Sequence, residues 1–167
     1  MSKEMLPLVN DKGERLGQAS REQCHSDPSL LHPVVHLHVF NSNGLLFIQK
    51  RAKTKDTLPG LWDTSVGGHV SVDEDILLSL KREAQEELGV ESDNAEFLYS
   101  YIWKNTYETE LVYTYRLTHD GPIRISKEEI DEGRFFSREE ILEKLNTQFF
   151  TPNFEYEVKQ LLKKNLL

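Results

Sequence analysis

The chain reads as an α+β fold, strands and helices packed in layers. Three observations predict this: short strand-like segments separated by Asn- and Gly-bearing turns, helix-start signals at three separate places, and strands and helices mixed along the chain. A length of 167 residues fits one domain, spanning 1–167, with an adequate core. No linker, internal repeat or low-complexity stretch interrupts it.

Leu6–Asn10 and Arg15–Ala19 flank Asn-Asp-Lys-Gly and predict an N-terminal hairpin within residues 5–20. Val34–Phe40 and Leu45–Lys50 flank Asn-Ser-Asn-Gly44 and predict a second one. Leu61–Val66 reads as a short strand leading to a glycine-bearing loop, Gly67-Gly68, and then a helix. Ala95–Trp103 and Thr109–Leu117 read as strands, the second by the alternation of Leu111, Tyr113, Tyr115 and Leu117. Gly133–Phe136 is a last short strand. Ser137 with Glu140 forms a capping box that opens a helix through Leu145, and Pro152 in a first turn opens a C-terminal helix through Lys164.

The central helix is the most informative element. Ser71 stands three before Glu74, which predicts a capping box, with Asp73, Glu74 and Asp75 as negative charge in the first turn. Gly89 suits a left-handed C-terminal cap. Between them Ile76, Leu80, Ala84 and Leu88 recur every fourth residue, with Leu77 beside them. At roughly 100° per residue, measured from Ile76, Glu87 falls inside the apolar stripe, Glu83 at its edge and Glu86 near −80°. A solvated acidic face would lie opposite the stripe. Carboxylates beside apolar residues need a counter-charge, and a hard divalent cation such as Mg²⁺ would supply it. Arg82, four before Glu86, is placed to brace that carboxylate.

Residues 68–90 thus read Gly-x5-Glu-x7-Arg-Glu-x-x-Glu-Glu-x-Gly-hydrophobic, which resembles the Nudix box of the MutT-like hydrolases. Every fixed position is matched, with Ala84 where larger aliphatics are commoner. The resemblance implies a Nudix fold, a mixed β-sheet sandwiched between α-helices. It also implies Mg²⁺ or Mn²⁺ held by Glu83, Glu86 and Glu87, and hydrolysis of a nucleoside diphosphate linked to another moiety.

A second set of residues stands out. His25 and His32 precede the Val34 strand, and His69 follows Gly68. Glu108 and Glu110, two apart at the start of a strand, share one face. Singly, each reads as a surface or hydrogen-bonded side chain. Together with Arg51-Ala-x-x-Lys55, Pro59-Gly-x-Trp62 and Ser65-Val66-Gly67-Gly68-His69, they resemble the isopentenyl-diphosphate isomerases, which share the Nudix fold. That resemblance implies a divalent metal at His25, His32, His69, Glu108 and Glu110, and a diphosphate held by Arg51 and Lys55. Three imidazoles with two carboxylates would suit Mn²⁺, Zn²⁺ or Fe²⁺ better than Mg²⁺. The isomerases carry an acid/base cysteine just before the Gly-His pair. Here that position is Gly67, which cannot move a proton, and the one cysteine, Cys24, lies outside the motif.

The expected activity is therefore metal-dependent cleavage of a phosphoanhydride. The box glutamates hold the metal, Arg51 and Lys55 clamp phosphate oxygens, and Gly67 and Gly68 allow close backbone approach. Water activation falls to a box glutamate or to Glu129 or Glu132, in the acidic stretch before Gly133. Trp62, Trp103, Tyr107 and Phe154 are candidates to stack on a base or to fill the core. An isomerase-like protein and a non-catalytic diphosphate-binding module remain as alternatives.

Net charge of −8 argues against nucleic-acid polymers as partners. The expected partner is a small-molecule diphosphate, and homodimer formation is left open. One cysteine excludes an internal disulfide. No apolar run approaches the ~20 residues of a membrane span, and the N-terminus lacks a signal-peptide apolar core, so a cytoplasmic setting is the expectation.

Overall fold

The computed structural model describes residues 3–167. Its strands are β1 (Met5–Val9), β2 (Arg15–Ser20), β3 (Leu31–Phe40), β4 (Leu46–Arg51), β5 (Trp62–Asp63), β6 (Val66–His69), β7 (Glu96–Lys104), β8 (Thr109–Thr118) and β9 (Ile130–Phe136). The helices are α1 (Arg21–Cys24), α2 (Ile76–Leu88), α3 (Arg138–Lys144) and α4 (Pro152–Lys163). The fold is the expected α+β arrangement, a mixed sheet between helices.

β1 and β2 form their own antiparallel ribbon, packed by Leu6, Ala19 and Cys24. The other seven strands make one sheet in the order β5-β4-β3-β8-β7, with β6 also on β3 and β9 on β4. At its centre β3 and β8 run parallel, in register from Leu31↔Thr109 to Phe40↔Thr118. On one face Val35, Leu37 and Val39 join Tyr115 and Leu117 under Leu80, Ala84 and Leu88 of α2. On the other face Phe40, Leu46 and Ile48 pack on Ile141 of α3 and on Phe154, Val158 and Leu161 of α4. Both sheet faces are covered, so β3 is buried along nearly its whole length.

Several expectations change. The second hairpin is splayed: β3 and β4 share only the pair Phe40↔Leu46, because β6 and β8 take the two sides of β3. The predicted strand 61–66 divides into β5 and β6, and Gly67-Gly68 lies within β6 rather than in a loop. Ser71 does not cap α2. Asp75 does, accepting from the Leu78 amide at 2.8 Å, so the helix starts after the acidic run and has no acid in its first turn. Glu74 is thereby free to bind Arg82. Leu77 stands out in solvent at 62% exposure, outside the stripe. Gly89 does adopt the left-handed cap, with φ of 65°. The strand expected from Gly133 begins earlier, at Ile130. Trp62 and Phe154 are buried in the core.

A polar network sits between the sheet and α4. Glu157, fully buried, accepts from His38 Nε2 at 2.9 Å, Tyr101 hydroxyl at 2.6 Å and Thr114 hydroxyl at 3.1 Å, and it also pairs with His36 Nδ1. Burial works against the Glu157 charge, but these imidazoles override it and hold the carboxyl well below the usual carboxylate range. Burial likewise opposes a charged His36, and the Glu157 carboxylate reverses that, pushing it up to about 9. A raised histidine contributes stability in full below its ordinary 6.5 and loses it as pH rises through 9; the depressed carboxylate contributes above 4.5. The pair therefore stabilises most between pH 4.5 and 6.5. Glu157→Gln should cost about 3–5 kcal/mol in urea unfolding near pH 6, the usual loss when a buried ion pair is broken, and clearly less near pH 9. A loss that does not depend on pH would show that the pair is uncharged.

Candidate functional site

The box glutamates are set by α2 pressing on β6. Glu83 lies directly over Gly68, so that a Cβ there would collide with its carboxyl group. Gly68 pairs with Val35 and therefore faces α2, while its neighbours Gly67 and His69 pair with His36 and Val34 and face the opposite side of the sheet. Glu87 is 7% exposed, as its position in the stripe predicted, and accepts from Gln49 Nε2 at 2.8 Å. The same Gln49 amide donates to Ser65 O at 2.9 Å, which fixes its orientation. Burial, reinforced by the neighbouring Glu83, raises Glu87 well above the carboxylate range. Burial raises Glu83 too, against the opposing pull of Arg82. Two buried acids this close ionise together only with added counter-charge, part of which Arg82 already supplies at Glu83. Glu86 is largely in solvent, its side chain 60% exposed.

Arg82 braces the cluster, though not chiefly at Glu86. Its strongest partners are Glu74, at 2.9–3.0 Å, and Glu83, at 2.7 Å, with Glu86 at 3.4 Å. It also donates to His69 O at 3.2 Å, tying α2 to the end of β6.

On the opposite side of β6, five residues remote in sequence converge. His25 Nε2 lies 3.1 Å from His69 Nε2 and 3.2 Å from Glu108 Oε2. His32 Nε2 lies 3.7 Å from Glu108 Oε2 and 3.9 Å from Glu110 Oε2. The elements that place them are α1, β3, β6 and β8. His25 is the C-cap of α1, a helix that Ser20 and Gln23 start with a capping box unread in the sequence. Burial lowers His25 to about 4 and His32 to about 3, with neighbouring imidazoles adding to it, so both present neutral nitrogen lone pairs at pH 7. Burial and then Glu110 raise Glu108 to about 8. Both ring nitrogens of His32 are buried without a hydrogen-bond partner among the described residues. An unsatisfied buried imidazole is costly, and a metal ion at Nε2 would remove part of that cost. The donor set, three imidazoles and two carboxylates, fits a transition metal. A cavity of about 540 Å³ opens beside His25, bordered by Lys3, Glu4, Arg21 and Asp56.

The remaining predicted residues surround these clusters. Arg51 donates to Thr57 O and Thr57 Oγ1, each at 3.0 Å, and approaches Asp63 at 3.4 Å. Lys55 pairs with Glu129, so that the expected clamp and the expected base hold each other. Glu129 is also close enough to Glu87 to contribute to raising it. Glu132 is exposed on β9, opposite Lys50. Trp103 packs against Tyr156 of α4. Asp63 and Gln49 were missed in the sequence. Each is a single polar residue in a short strand, with no spacing signal.

Residues 30–155 match the family model of the NUDIX domain. The chain belongs to the Nudix family. Its class is hydrolase acting on acid anhydrides. YfcD of Escherichia coli K12, an uncharacterized Nudix hydrolase, is 32% identical over 98% of this chain and 89% of its own length. Isopentenyl-diphosphate Delta-isomerase 1 of Photorhabdus laumondii is 29% identical over 97% of both chains. The crystal structure of DR0079 from Deinococcus radiodurans superposes with a TM-score of 0.79 at 27% identity, covering 94% of this chain and 98% of that one. The Nudix chain thus also has the isomerase-like relatives its second cluster suggested.

Gly68→Ala should push the Glu83 carboxyl off β6 and weaken Mn²⁺ binding at the box about tenfold or more, with the unfolding midpoint little changed; unaltered Mn²⁺ titration would remove Gly68 from the site. His32→Leu should fold at least as stably as the parent in the presence of a chelator, since it deletes an unsatisfied imidazole. It should also abolish the rise in Tm that Mn²⁺ or Zn²⁺ gives the parent, a rise equivalent to about 2.7 kcal/mol at a hundredfold excess over Kd.

Proposed function

We propose that this Nudix chain is a metal-dependent diphosphohydrolase, cleaving a phosphoanhydride bond in a nucleoside diphosphate linked to another moiety or in a similar organic diphosphate. The observation that carries it is Glu83 over Gly68 beside buried Glu87, two carboxyls that burial raises and that a divalent cation would hold ionised together. Glu83, Glu86 and Glu87 would hold Mg²⁺ or Mn²⁺, and His25, His32, His69, Glu108 and Glu110 a second, transition-metal ion. Such ions neutralise charge that develops on the phosphate oxygens.

The protein's own groups do the rest. Gln49 orients Glu87, and Arg82 orients Glu83. Arg51 and Lys55 exchange their present partners, Thr57 and Glu129, for phosphate oxygens. Release of Glu129 from Lys55 leaves a carboxylate near Glu87 that can take a proton from water, which favours it over exposed Glu132. The second cluster favours kinship with the isomerases, but Gly67 offers no acid or base at the position of their cysteine.

Glu87→Gln should reduce turnover at least a hundredfold while leaving urea unfolding within about 1 kcal/mol, since shape is kept and a ligand charge is lost. The substrate test is a phosphate-release screen in Mg²⁺ and separately in Mn²⁺, coupled to a phosphatase. Its panel is nucleotide sugars, ADP-ribose, NADH, coenzyme A, dinucleoside polyphosphates, nucleoside triphosphates and isoprenoid diphosphates. Cleavage of any of them that Glu87→Gln loses supports the reading. Silence across the panel with folded protein, or full activity of the variant, overturns it.

A further inference from the structure

Of the two histidines paired with Glu157, His36 has its ring edge against Gly67. Its Nδ1 is committed to Glu157, so the ring cannot flip without breaking that pair. The hydrogen bond of the ring is the one at Nδ1, and the side chain keeps 11% exposure. That edge lies against Gly67: a Cβ placed on Gly67 would stand 3.3 Å from His36 Cδ2 and 3.5 Å from Nε2. Any side chain at 67 would therefore cover the imidazole, and glycine leaves it open. Position 67 is also where the sequence departs from the isomerase pattern, so the place of an acid/base thiol is here a gap with an N–H at its back.

The surroundings fix what that N–H can meet. β6 puts Gly67 and His36 on the side away from Gly68 and the box glutamates. On the diphosphohydrolase reading, a diphosphate held at those glutamates would meet His36 through its attached group. Glu157 holds the ring as a proton donor, and Glu110 and Asp63 add to the field that keeps its proton.

We propose that His36, held by Glu157, is a specificity residue that donates Nε2–H across Gly67 to an oxygen on the organic group of the substrate. The substrate class follows: diphosphates whose attached group carries a hydroxyl or carbonyl oxygen at that point, such as a sugar, rather than a hydrocarbon chain. This rests on the diphosphohydrolase reading for where the diphosphate lies.

Binding, rather than turnover, tests it. Kd would be measured with Ca²⁺ in place of Mg²⁺ for ADP-ribose, UDP-glucose, isopentenyl diphosphate and inorganic pyrophosphate. The parent should bind at least one of the sugar diphosphates more tightly than isopentenyl diphosphate. His36→Asn retains an amide where Nδ1 meets Glu157 and deletes Nε2; it should weaken that sugar diphosphate about tenfold and leave isopentenyl diphosphate and pyrophosphate within twofold. His36→Gln, whose amide reaches the Nε2 position, should recover part of the loss. In the parent, the ¹⁵N signal of His36 Nε2 should move with the sugar diphosphate and not with pyrophosphate. Equal weakening of all ligands, no weakening, parent preference for isopentenyl diphosphate, or no binding at all would each overturn the proposal. Phosphate release in Mg²⁺ decides the hydrolase reading separately, because the binding comparison stands whether or not cleavage occurs.

Discussion

The parallel pairing of β3 with β8 is the constraint on which the site depends. Ten residues in register give each strand two unlike faces. Val35, Leu37 and Val39 beside Tyr115 and Leu117 make an apolar bed for α2. His32 and His36 beside Glu110 and Thr114 make a polar bed on the other side. A slip of one residue would exchange the faces, burying the histidines under α2 and turning the valines toward Glu157. The register is thus specified by both faces at once. The same alternation passes to β6, where Gly68 faces the box and Gly67 and His69 face the histidines. Two clusters of opposite character therefore stand only one strand apart.

Much of this was legible. The 3.6-residue period of Leu80, Ala84 and Leu88 located α2, and the same period showed that Glu87 had to be buried. His25, His32, His69, Glu108 and Glu110 were named together only because their spacings match a known pattern. Nothing local in any one of them says that α1 brings His25 to within 3.1 Å of His69. What was misread were short-range alternatives of similar energy. Ser71 and Asp75 are both good N-caps, and the choice fell to Asp75 because Glu74 is engaged by Arg82 eight residues on. Gly67-Gly68 looked like a loop since glycine is poor in strands; here the strand tolerates glycine because Glu83 and His36 lean on its two faces. Glu157 carried no signal at all. It is one acid in a helix of ordinary composition, and only the tertiary structure sets it against His36 and His38. The alternation of His32, His36 and His38 along an otherwise apolar strand was the available clue, since an imidazole repeated on one strand face needs a partner.

The network around Glu157 also explains why α4 belongs to the site rather than only to the core. Thr151, its N-cap, donates to Asp63 at 3.0 Å, and Asp63 in turn meets Arg51. Tyr101 bridges Asn153 and Glu157 at 2.5 and 2.6 Å. The Glu157–histidine pairs among these contacts are buried ion pairs, which rarely gain over well-packed hydrocarbon. Polar groups kept at that expense are better understood as holding something in position. Among them, His36 is the group whose ring edge lies against Gly67.

The isomerase-like relatives can be reconciled with hydrolysis through the same geometry. A shared scaffold needs a place for a diphosphate and a place for the attached group. Alkene chemistry at the second place calls for a thiol or carboxyl able to exchange a proton with carbon. With Gly67 there, no such group exists at that position, and what lies behind it is an imidazole tied to a buried carboxylate. An imidazolium in that position is a poor neighbour for a carbocation-like centre, since like charges repel in a site of low dielectric. It is a good neighbour for a hydroxyl or carbonyl oxygen. Chemistry then shifts to the first place, where Glu83, Glu86 and Glu87 remain intact. The one glycine and the one histidine thus disfavour isomerisation and favour a polar substrate together, through the same few cubic ångströms beside β6.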